Sequence, residues 1–407
     1  MSGKRTKGQD GFTIVELMIA LAISVLVVAG VTTLYAQLFS QYKQESRITG
    51  TDIGSAIGLN YLVDDIRAAG YGLPWNISNN VTYDDYSTVN GNSIVAPQAN
   101  DDGPTPPRAI VPISGGANGA CTFGDYLVIK SQSAAVGDSA AGKSMPLTSN
   151  GALNGNAPWT TGLTPAQCAN DPENFCGSDY VIVLKNLDTT RDLESSGPQG
   201  WWPTYANAST VNYAPSTTNA TYMIYGVASN TDAPNGNLHM PYNRADYFIA
   251  ANARNGQPAQ NVWDKNVVTV PQGCAQNTGE LIKAAVKQSD GTFNYYPVLN
   301  CAATMKVNFL RANGAVADAA TIAANDPTAA QIRSDILQVR VFILAQEGQM
   351  DPSYTVPAAQ QTIWLGDCST PPVANGVCTS YTLTGDQVHY KWRVYKIMEK
   401  PFNLGAQ

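Results

Sequence analysis

The hydrophobic positions of the chain fall into three successive patterns. An apolar run, IVELMIALAISVLVVAGVTTL, occupies Ile14–Leu34, and at about 32 Å of helix it is long enough to cross a bilayer. Apolar residues then recur every three or four positions as far as Ile66, a spacing typical of an amphipathic helix. Beyond Gly72, short runs of β-branched and aromatic residues alternate with polar loops, which predicts strands.

The first two patterns predict one long helix. No proline occurs before Pro74, so no residue interrupts the backbone hydrogen bonds of a helix from Phe12 to about Ala69. Gly70 and Gly72 follow directly, and glycine just past the last periodic residue is a signal for the end of a helix.

The third pattern predicts an antiparallel sheet. Strand composition is found in five early segments: Asp125–Lys130, Asp179–Leu187, Thr221–Ala228, Asn266–Val270 and Met305–Ala312. The clearest alternation comes later, with Leu337, Val339, Val341 and Ile343 on one face and Gln338 and Arg340 on the other, and again with Tyr390, Trp392 and Val394. Such alternation is typical of half-buried antiparallel strands. Two segments, Gly279–Gln288 and Thr328–Asp335, are predicted to form short helices.

These elements predict an α+β fold in which the long helix packs on an antiparallel sheet. Long loops separate several strands, including Leu73–Ala120 and Ser131–Cys176, and loops of that length are uncommon in compact domains unless they have a function. We expect large insertions in the sheet domain. A separate second domain around residues 131–335 is an alternative, although no linker composition marks its edges.

Composition and charge exclude one class of partner. Only 14% of the 407 residues are charged, against about 25% in an average soluble domain. The net charge is −7, and the basic cluster is confined to Lys4, Arg5 and Lys7. Because binding to phosphate uses clustered Lys and Arg, no nucleic-acid partner is expected.

The seven cysteines indicate an oxidising compartment. None of them forms a CxxC or Cys/His motif, so neither a zinc site nor a haem site is predicted. Six fall into local neighbours, which suggests the disulfides Cys168–Cys176, Cys274–Cys301 and Cys368–Cys378 and leaves Cys121 unpaired. The connectivity stays open at this point, because Cys121 could replace any partner in that scheme.

Glu16 is the one charged residue of the apolar run. A carboxylate in hydrocarbon costs roughly 2.5–3.5 kcal/mol at the bilayer centre and needs a partner, yet no Lys, Arg or His occurs between Phe12 and Gln41. An ordinary cleaved signal peptide is the alternative for this segment. It is disfavoured because Leu34 occupies the position two before Ala36, where a small residue is required.

The N-terminal residues carry a resemblance to a known family. A basic leader ending in Gly11, followed by Phe12, Glu16 and an unbroken apolar helix, resembles the class III signal of type IV prepilins and pseudopilins. Four later segments resemble PilW-type minor pilins: LVDDIRAAGYG (Leu62–Gly72), FGDYLVIK (Phe123–Lys130), DILQVRVFILAQ (Asp335–Gln346) and YKWRVYKIMEKPFNL (Tyr390–Leu404).

The resemblance implies a processing site. A prepilin peptidase is expected to cut between Gly11 and Phe12 and to methylate the new amine of Phe12. Glu16 is then expected to pair with a terminal amine during filament assembly, because a buried carboxylate is tolerated when a cation meets it. The implied division is a leader (1–11), a helix with a membrane and assembly half (12–35) and an amphipathic half (36–72), and a globular pilin head (73–407).

The resemblance also implies a function, a location and partners. The expected protein is a minor pilin that helps to initiate or cap type IV pilus assembly. Its helix lies in the inner membrane and its head in the periplasm, and it later reaches the pilus at the cell surface. Expected partners are the prepilin peptidase and other major and minor pilins. The alternatives are a minor pseudopilin of type II secretion and a pilin-anchored adhesin that presents the insertions between Ser131 and Asp335. Trp201–Trp202 is a candidate aromatic patch for such an adhesin, although packing in the core or a loop is the expected use of these two residues.

The sequence shows little chemistry beyond this. His239 and His389 lie in no metal-ligand motif, and His389 is expected in a strand. The adjacent Asp64 and Asp65 point to different sides of the helix and are expected to be solvated or to lie at the helix end. Oxygen-rich turns at Asn230–Asn237 and Asn100–Pro104 leave calcium as an alternative. We predict no other cofactor and no enzymatic activity.

Overall fold

The structure is a computed structural model of the whole chain. It describes residues 13–79, 81–85, 88–89, 92–93, 99–115, 123–135, 137–147, 175–176, 179–187, 189–194, 221–229, 238–250 and 270–405. Within the helices and strands, the side chains of residues 36–56, 88–89, 92–93 and 147 are not described. The expected strand at Asn266–Val270 lies outside these ranges except for its last residue.

The long helix predicted from the sequence is present. Helix α1 covers Ile14–Ala68, and Gly70 and Gly72 follow it with φ of 81° and 68°. A positive φ is readily adopted only by glycine, which is why the chain turns here. The chain divides into two compact units, Met1–Ile53 and Gly54–Gln407, so α1 contributes residues to both.

The second unit is built on antiparallel strands. In chain order they are β1 (Thr88–Val89), β2 (Asn92–Ser93), β3 (Ile110–Ile113), β4 (Tyr126–Ser131), β5 (Ser144–Leu147), β6 (Asp179–Leu187), β7 (Thr190–Leu193), β8 (Thr221–Ser229), β9 (Asn243–Ala250), β10 (Gly279–Val286), β11 (Phe293–Arg311), β12 (Val316–Asp318), β13 (Ile336–Glu347), β14 (Thr362–Gly366), β15 (Cys378–Thr382) and β16 (Lys391–Glu399). Two short helices, α2 (Ala319–Asn325) and α3 (Ala329–Asp335), and two 3-10 turns, Ala358–Gln360 and Gly385–His389, complete the described elements.

One large sheet organises this unit. It has eight strands in the order β16-β13-β11-β10-β9-β4-β3, with β12 paired to β11, and its neighbours are antiparallel. A four-stranded sheet runs in the order β5-β8-β6-β7, and β14-β15 and β1-β2 form separate hairpins. The predicted α+β class with an antiparallel sheet is therefore confirmed.

The last turns of α1 pack on one face of the large sheet. Leu59, Leu62 and Ile66 belong to the same buried apolar cluster as sheet residues such as Val341 and Ile343. Gly58 allows a close approach, because a Cβ at this position would lie 2.0 Å from the Val298 carbonyl oxygen. Ile57 and Tyr61 fit the predicted apolar spacing but are 58% and 51% exposed, so the buried stripe is narrower than the sequence pattern suggests.

The opposite face of the sheet carries a second, smaller cluster. Phe342 and Leu344 of β13 pack there with Ala303 and Leu365. The hairpin β14-β15 supplies Leu365 and Ile363 to this cluster. Strand β13 is therefore buried on both faces along its second half, although the sequence predicts a half-buried strand there.

Two local predictions have opposite outcomes. The helix predicted at Thr328–Asp335 is confirmed as α3, and Thr328 and Gln331 form a reciprocal capping box at its start. The helix predicted at Gly279–Gln288 is wrong, because these residues form strand β10 between β9 and β11. Its helix-forming Glu, Lys and Ala residues were overridden by pairing on both edges and burial on both faces.

Disulfide bonds cross-link the second unit. The structure contains the disulfides Cys274–Cys301 and Cys368–Cys378, with sequence separations of 27 and 10. Cys176 is also disulfide-bonded, to a cysteine outside the described residues. Cys121 and Cys168 both lie outside them, so the expected pair Cys168–Cys176 and the expected free thiol of Cys121 stay predictions.

Candidate functional site

The N-terminal part of α1 has the character of a membrane segment. Residues Ile14–Tyr35 form 22 residues of helix with a mean hydropathy of 2.7, and none of this segment is buried within the chain. Its aliphatic side chains are mostly more than half exposed, as Ile14 at 78% and Leu26 at 72% illustrate. An apolar surface of this size is stable only in contact with lipid or with other apolar helices.

The serine and threonine hydroxyl groups of this segment donate hydrogen bonds within the helix itself. Ser24 Oγ donates to the Ala20 carbonyl oxygen at 2.7 Å, and Thr33 Oγ1 donates to the Ala29 carbonyl oxygen at 2.8 Å. Thr32 Oγ1 does the same with the Val28 carbonyl oxygen at 2.9 Å. Because each hydroxyl bonds one turn back along the helix, none of the three needs water or a partner chain.

Glu16 closes the first turn of the helix. Its Oε2 accepts hydrogen bonds from the Thr13 backbone N at 3.0 Å and from Thr13 Oγ1 at 3.1 Å. The Glu16 backbone N in turn donates to Thr13 Oγ1 at 3.3 Å. This is a capping box, and its signal, Thr-x-x-Glu, is visible in the sequence as TIVE. This capping role of Glu16 was not among the predictions from the sequence.

The capping box uses only one oxygen of the carboxylate. Both bonds from Thr13 end on Oε2, and within the described residues Oε1 accepts no hydrogen bond. A carboxylate can therefore cap the helix through one oxygen and bind a cation through the other. Gly11 and Phe12, the predicted processing residues, lie outside the described residues.

The second unit contains a buried ionic cluster that sequence reasoning did not find. It comprises three carboxylates and three cationic side chains: Asp85, Asp101, Asp246, Lys130, Arg108 and Arg244. Lys130, Arg244, Asp85 and Asp246 are 0% exposed. Lys130 contacts Asp85 and lies 2.5 Å from Asp101 Oδ2. The six charged residues come from two strands and two loops. No local sequence motif therefore predicts the cluster.

Two of the three acids in this cluster each accept two hydrogen bonds from one arginine. Arg244 Nε and Nη2 bond to Asp246 Oδ1 and Oδ2 at 2.7 and 2.8 Å. Arg108 reaches Asp101 through Nε at 2.7 Å and through its backbone N at 2.8 Å. Burial by itself lowers the pKa of Arg244, but the adjacent Asp246 carboxylate outweighs it and raises that pKa. Arg244 therefore remains charged.

A second buried ion pair corrects the expectation for Asp65. Asp64 is exposed, with 74% of its side chain accessible, but Asp65 is buried and lies 2.5 Å from Lys283 Nζ. Asp65 Oδ2 also accepts a hydrogen bond from the Tyr247 hydroxyl oxygen at 2.6 Å. Asp65 lies near the end of α1, as one of the two expected alternatives has it, but it is buried and not solvated. Burial raises the pKa of Asp65, while the neighbouring ammonium lowers it.

The turn considered for calcium is occupied by internal cations. In the segment Asn100–Pro104, Asn100 Oδ1 accepts a bond from Arg244 Nη1 at 2.7 Å, and the Asp101 carboxylate faces Lys130 and Arg108. The other calcium candidate, Asn230–Asn237, and the aromatic pair Trp201–Trp202 lie outside the described residues. Within the described ranges, no group of three His, Cys, Asp or Glu side chains could hold a metal ion.

The two histidines lie in different surroundings. His389 ends the 3-10 turn Gly385–His389 and not a strand as predicted, and its Nδ1 lies 2.7 Å from the Tyr354 carbonyl oxygen. His239 lines an open cleft of about 240 Å³ together with Tyr83, Asp84 and Gln288. Its backbone N donates to Gln288 Oε1 at 3.1 Å.

Comparison with known proteins gives one match, which lies in the N-terminal region. Residues 6–32 match the family described as the prokaryotic N-terminal methylation motif. Searches of curated proteins and of solved structures found no match. The matched residues include Glu16 and most of the exposed apolar helix, which fits the geometry described above. The motif therefore indicates a type IV pilin-like protein that is cleaved by prepilin peptidase.

Proposed function

We propose that the protein is a minor pilin that takes part in initiating or capping type IV pilus assembly. In this proposal prepilin peptidase cuts between Gly11 and Phe12 and methylates the amine of Phe12. The segment Ile14–Tyr35 holds the protein in the inner membrane with its sheet domain in the periplasm. Other major and minor pilins then pack against the same segment as the protein enters a filament. In this proposal the sheet domain is the globular head of the pilin.

The observation that carries this proposal is the state of Glu16. The residue lies in an apolar helix whose side chains are exposed, and Oε1 accepts no hydrogen bond in the described part of the chain. A carboxylate that enters a low-dielectric assembly needs a cation, and an uncompensated charge there is strongly destabilising. Cleavage after Gly11 creates such a cation, the α-amine of Phe12, either in the same chain or in a neighbouring subunit.

The size of the globular unit supports a place at the tip or in an initiating complex. Gly54–Gln407 is one compact unit that contains both an eight-stranded and a four-stranded sheet. A head of this size at every position would crowd a filament whose helices pack side by side. Finding the protein at a regular stoichiometry along filament shafts would contradict this part of the proposal.

The same N-terminal features also fit a minor pseudopilin of type II secretion, and a pilin-anchored adhesin remains the alternative from another class. Co-purification distinguishes the pilus role from the pseudopilin role. Association of the protein with sheared pili supports the proposed pilus role, and association with a secretion pseudopilus overturns it. The second is tested by binding of the protein to glycans or host cells, with loss of binding in Trp201→Ala.

The decisive experiment is mass spectrometry of the N-terminal peptide of protein extracted from membranes. A peptide that begins at N-methylated Phe12 is expected. A Gly11→Ala variant serves as the control, because it alters the residue before the cut and is expected to keep the leader. An intact leader in the wild-type protein, or a cut beyond Tyr35, would overturn the proposal.

A further inference from the structure

Among the described residues, the buried ionic cluster contains one acid–base pair whose acid is contacted by an arginine only once, through Arg244 Nη1 at 3.3 Å from Asp85 Oδ2. Asp246 is matched by Arg244 through two side-chain bonds, and Asp101 is matched by Arg108. Lys130 and Asp85 remain. Both are 0% exposed, and their side chains are in direct contact. The pair is thus held together away from water while its neighbours are already neutralised.

Lys130 Nζ lies between two carboxylates. It contacts Asp85 Oδ2, and Asp101 Oδ2 lies 2.5 Å away on another loop. The ring of Tyr242 covers the amine, with Nζ 5.7 Å from the ring centroid. The site therefore provides a nitrogen that can act as a nucleophile, a carboxylate oxygen in contact with it whose acyl carbon can be attacked, and a second carboxylate within hydrogen-bond distance of the same amine.

We propose that Lys130 and Asp85 form an intramolecular amide bond, with Asp101 acting as the proton carrier. The bond joins Nζ of Lys130 to Cγ of Asp85, two residues separated by 45 positions in the chain. It is a modification that the protein performs on itself after folding. It is independent of the proposed role in a pilus.

The reaction balances without any added reagent. The ammonium of Lys130 first passes one proton to Oδ2 of Asp85, which gives a neutral amine and a neutral acid. The Nζ lone pair then attacks Cγ, and Asp101 accepts a second proton from Nζ. Asp101 returns that proton to the leaving Oδ2, the Cγ–Oδ2 bond breaks, and one water is released. No oxidant, nucleotide or metal takes part.

The groups around Asp85 stabilise the charge that develops during this step. The Tyr242 hydroxyl donates to Oδ1, the oxygen that becomes negative in the tetrahedral intermediate. The Asp101 backbone N donates to Oδ2 at 2.9 Å, and Arg244 Nη1 lies 3.3 Å from the same oxygen. Donors fixed in a site without water are the usual means of stabilising such an oxyanion.

Burial favours the product. Two ions held away from water carry a large desolvation penalty, and an amide bond removes both charges at once. The cluster stays balanced after the reaction, because Arg108 still neutralises Asp101 and Arg244 still neutralises Asp246. Fixed contact between the reacting groups corresponds to an effective concentration of up to about 10⁵–10⁸ M.

The second buried pair provides an internal control. Lys283 Nζ lies 2.5 Å from Asp65 Oδ2, but in the described structure no second carboxylate contacts this amine. The Tyr247 hydroxyl also contacts Asp65, but it donates a hydrogen bond to that carboxylate and is not a carboxylate that could take up a proton from the amine. We therefore expect Lys283 to remain an ordinary lysine in the same molecules.

The test is mass spectrometry of the full-length protein after reduction and alkylation of its disulfides. The expected intact mass is lower than the sequence mass by one water, after allowance for N-terminal processing. The digest should contain a branched peptide that joins Lys130 to Asp85. A linear Lys130 peptide with no loss of water overturns the proposal. So does a lost water located in a cyclic imide of one aspartate, or a branch at Asp101 or between Lys283 and Asp65.

Variants sharpen the assignment. Asp85→Asn offers the same acyl carbon with a different leaving group, so the branched peptide is expected with loss of one ammonia in place of one water. Lys130→Met is expected to abolish the branch. Asp101→Asn is expected to leave at least about ten times more unreacted chain, because the proton carrier is lost. An unchanged yield in Asp101→Asn overturns the role given to Asp101.

Failure of this proposal and failure of the proposed function give different results. The N-terminal peptide reports processing, and the Lys130 peptide reports the amide bond, in one and the same digest. If Lys130→Met fails to fold, the wild-type digest still decides between a branched and a linear peptide.

Discussion

Asp65 on α1 and Lys283 on β10 form an ion pair of 2.5 Å within the second unit, with 7% and 3% of their side chains exposed. Removing one charge of such a pair leaves the other buried without compensation, which is more costly than losing the contact itself. This pair therefore fixes the last turns of the helix to the sheet.

The first prediction concerns this pair. Asp65→Asn is expected to lower the free energy of unfolding by about 3–5 kcal/mol, because Lys283 stays buried without its counter-ion. Denaturant titration of the purified protein in detergent, followed by tryptophan fluorescence, measures the change. Asp64→Asn is the matched control, since Asp64 is the exposed neighbour, and it should change stability by less than about 0.5 kcal/mol. Equal effects of the two variants would contradict the burial argument.

A second prediction concerns the close contact between helix and sheet at Gly58. A methyl group there would lie 2.0 Å from the Val298 carbonyl oxygen, so helix and strand have to separate. Gly58→Ala is expected to destabilise the second unit by about 1–3 kcal/mol, despite the better helix propensity of alanine. Gly30→Ala is the control, because nothing lies within 4 Å of a Cβ at Gly30. The melting temperature of each variant decides the matter.

The third prediction concerns Glu16 and depends on the proposed function. It distinguishes the role of Glu16 in helix capping from its role in pairing with an amine. Glu16→Gln keeps an acceptor for the capping box but removes the charge, whereas Glu16→Ala removes both. If the charge pairs with an amine, both variants should reduce incorporation into sheared filaments by about tenfold or more. Thr13→Ala removes the hydroxyl of the cap and keeps the charge, so it should be incorporated almost normally. Immunoblots of pili, normalised to the membrane pool, measure incorporation.

For Glu16, near-normal incorporation of Glu16→Gln together with loss in Glu16→Ala would show that the residue acts through helix capping alone. The amine-pairing part of the proposal would then be wrong. Processing at Gly11 would stay unaffected by that result.

The fourth prediction concerns pH. Burial raises the pKa of Glu280 above its ordinary value of 4.5, so the folded protein holds this proton more readily than the unfolded chain does. The contribution of Glu280 thus favours folding at low pH and is lost as the pH rises through the folded pKa. Glu280→Gln is expected to stabilise the protein at pH 7 by up to about 1 kcal/mol. The gain should vanish below the ordinary pKa, and denaturation at a series of pH values tests this.

The sequence predicts those features that depend on neighbouring residues. The end of α1 at Gly70 and Gly72 and the start of α3 at Thr328 both follow from local chemistry. The capping box of Glu16 is of the same kind and could have been found in the sequence. Each of these features needs only residues within one or two turns, so a single short segment specifies it.

The features that escaped prediction depend on distant residues. Asp64 and Asp65 are chemically identical neighbours, yet only Asp65 meets Lys283 and Tyr247 from two strands far along the chain. Lys130 likewise depends on two loops for its acids. Strand β10 is a strand because β9 and β11 flank it. Tertiary pairing decides all three, and periodicity carries no information about it.

The internal bonds of Ser24, Thr32 and Thr33 have a consequence for any transfer of α1 out of lipid. Each hydroxyl keeps the same partner in hydrocarbon, at a protein surface or between helices, since that partner is the carbonyl of its own helix. When the segment Ile14–Tyr35 leaves the bilayer, its apolar side chains therefore exchange contacts with lipid for contacts with other apolar helices. Glu16 is the one carboxylate of this segment, and the surroundings of that carboxylate decide in which direction the exchange runs.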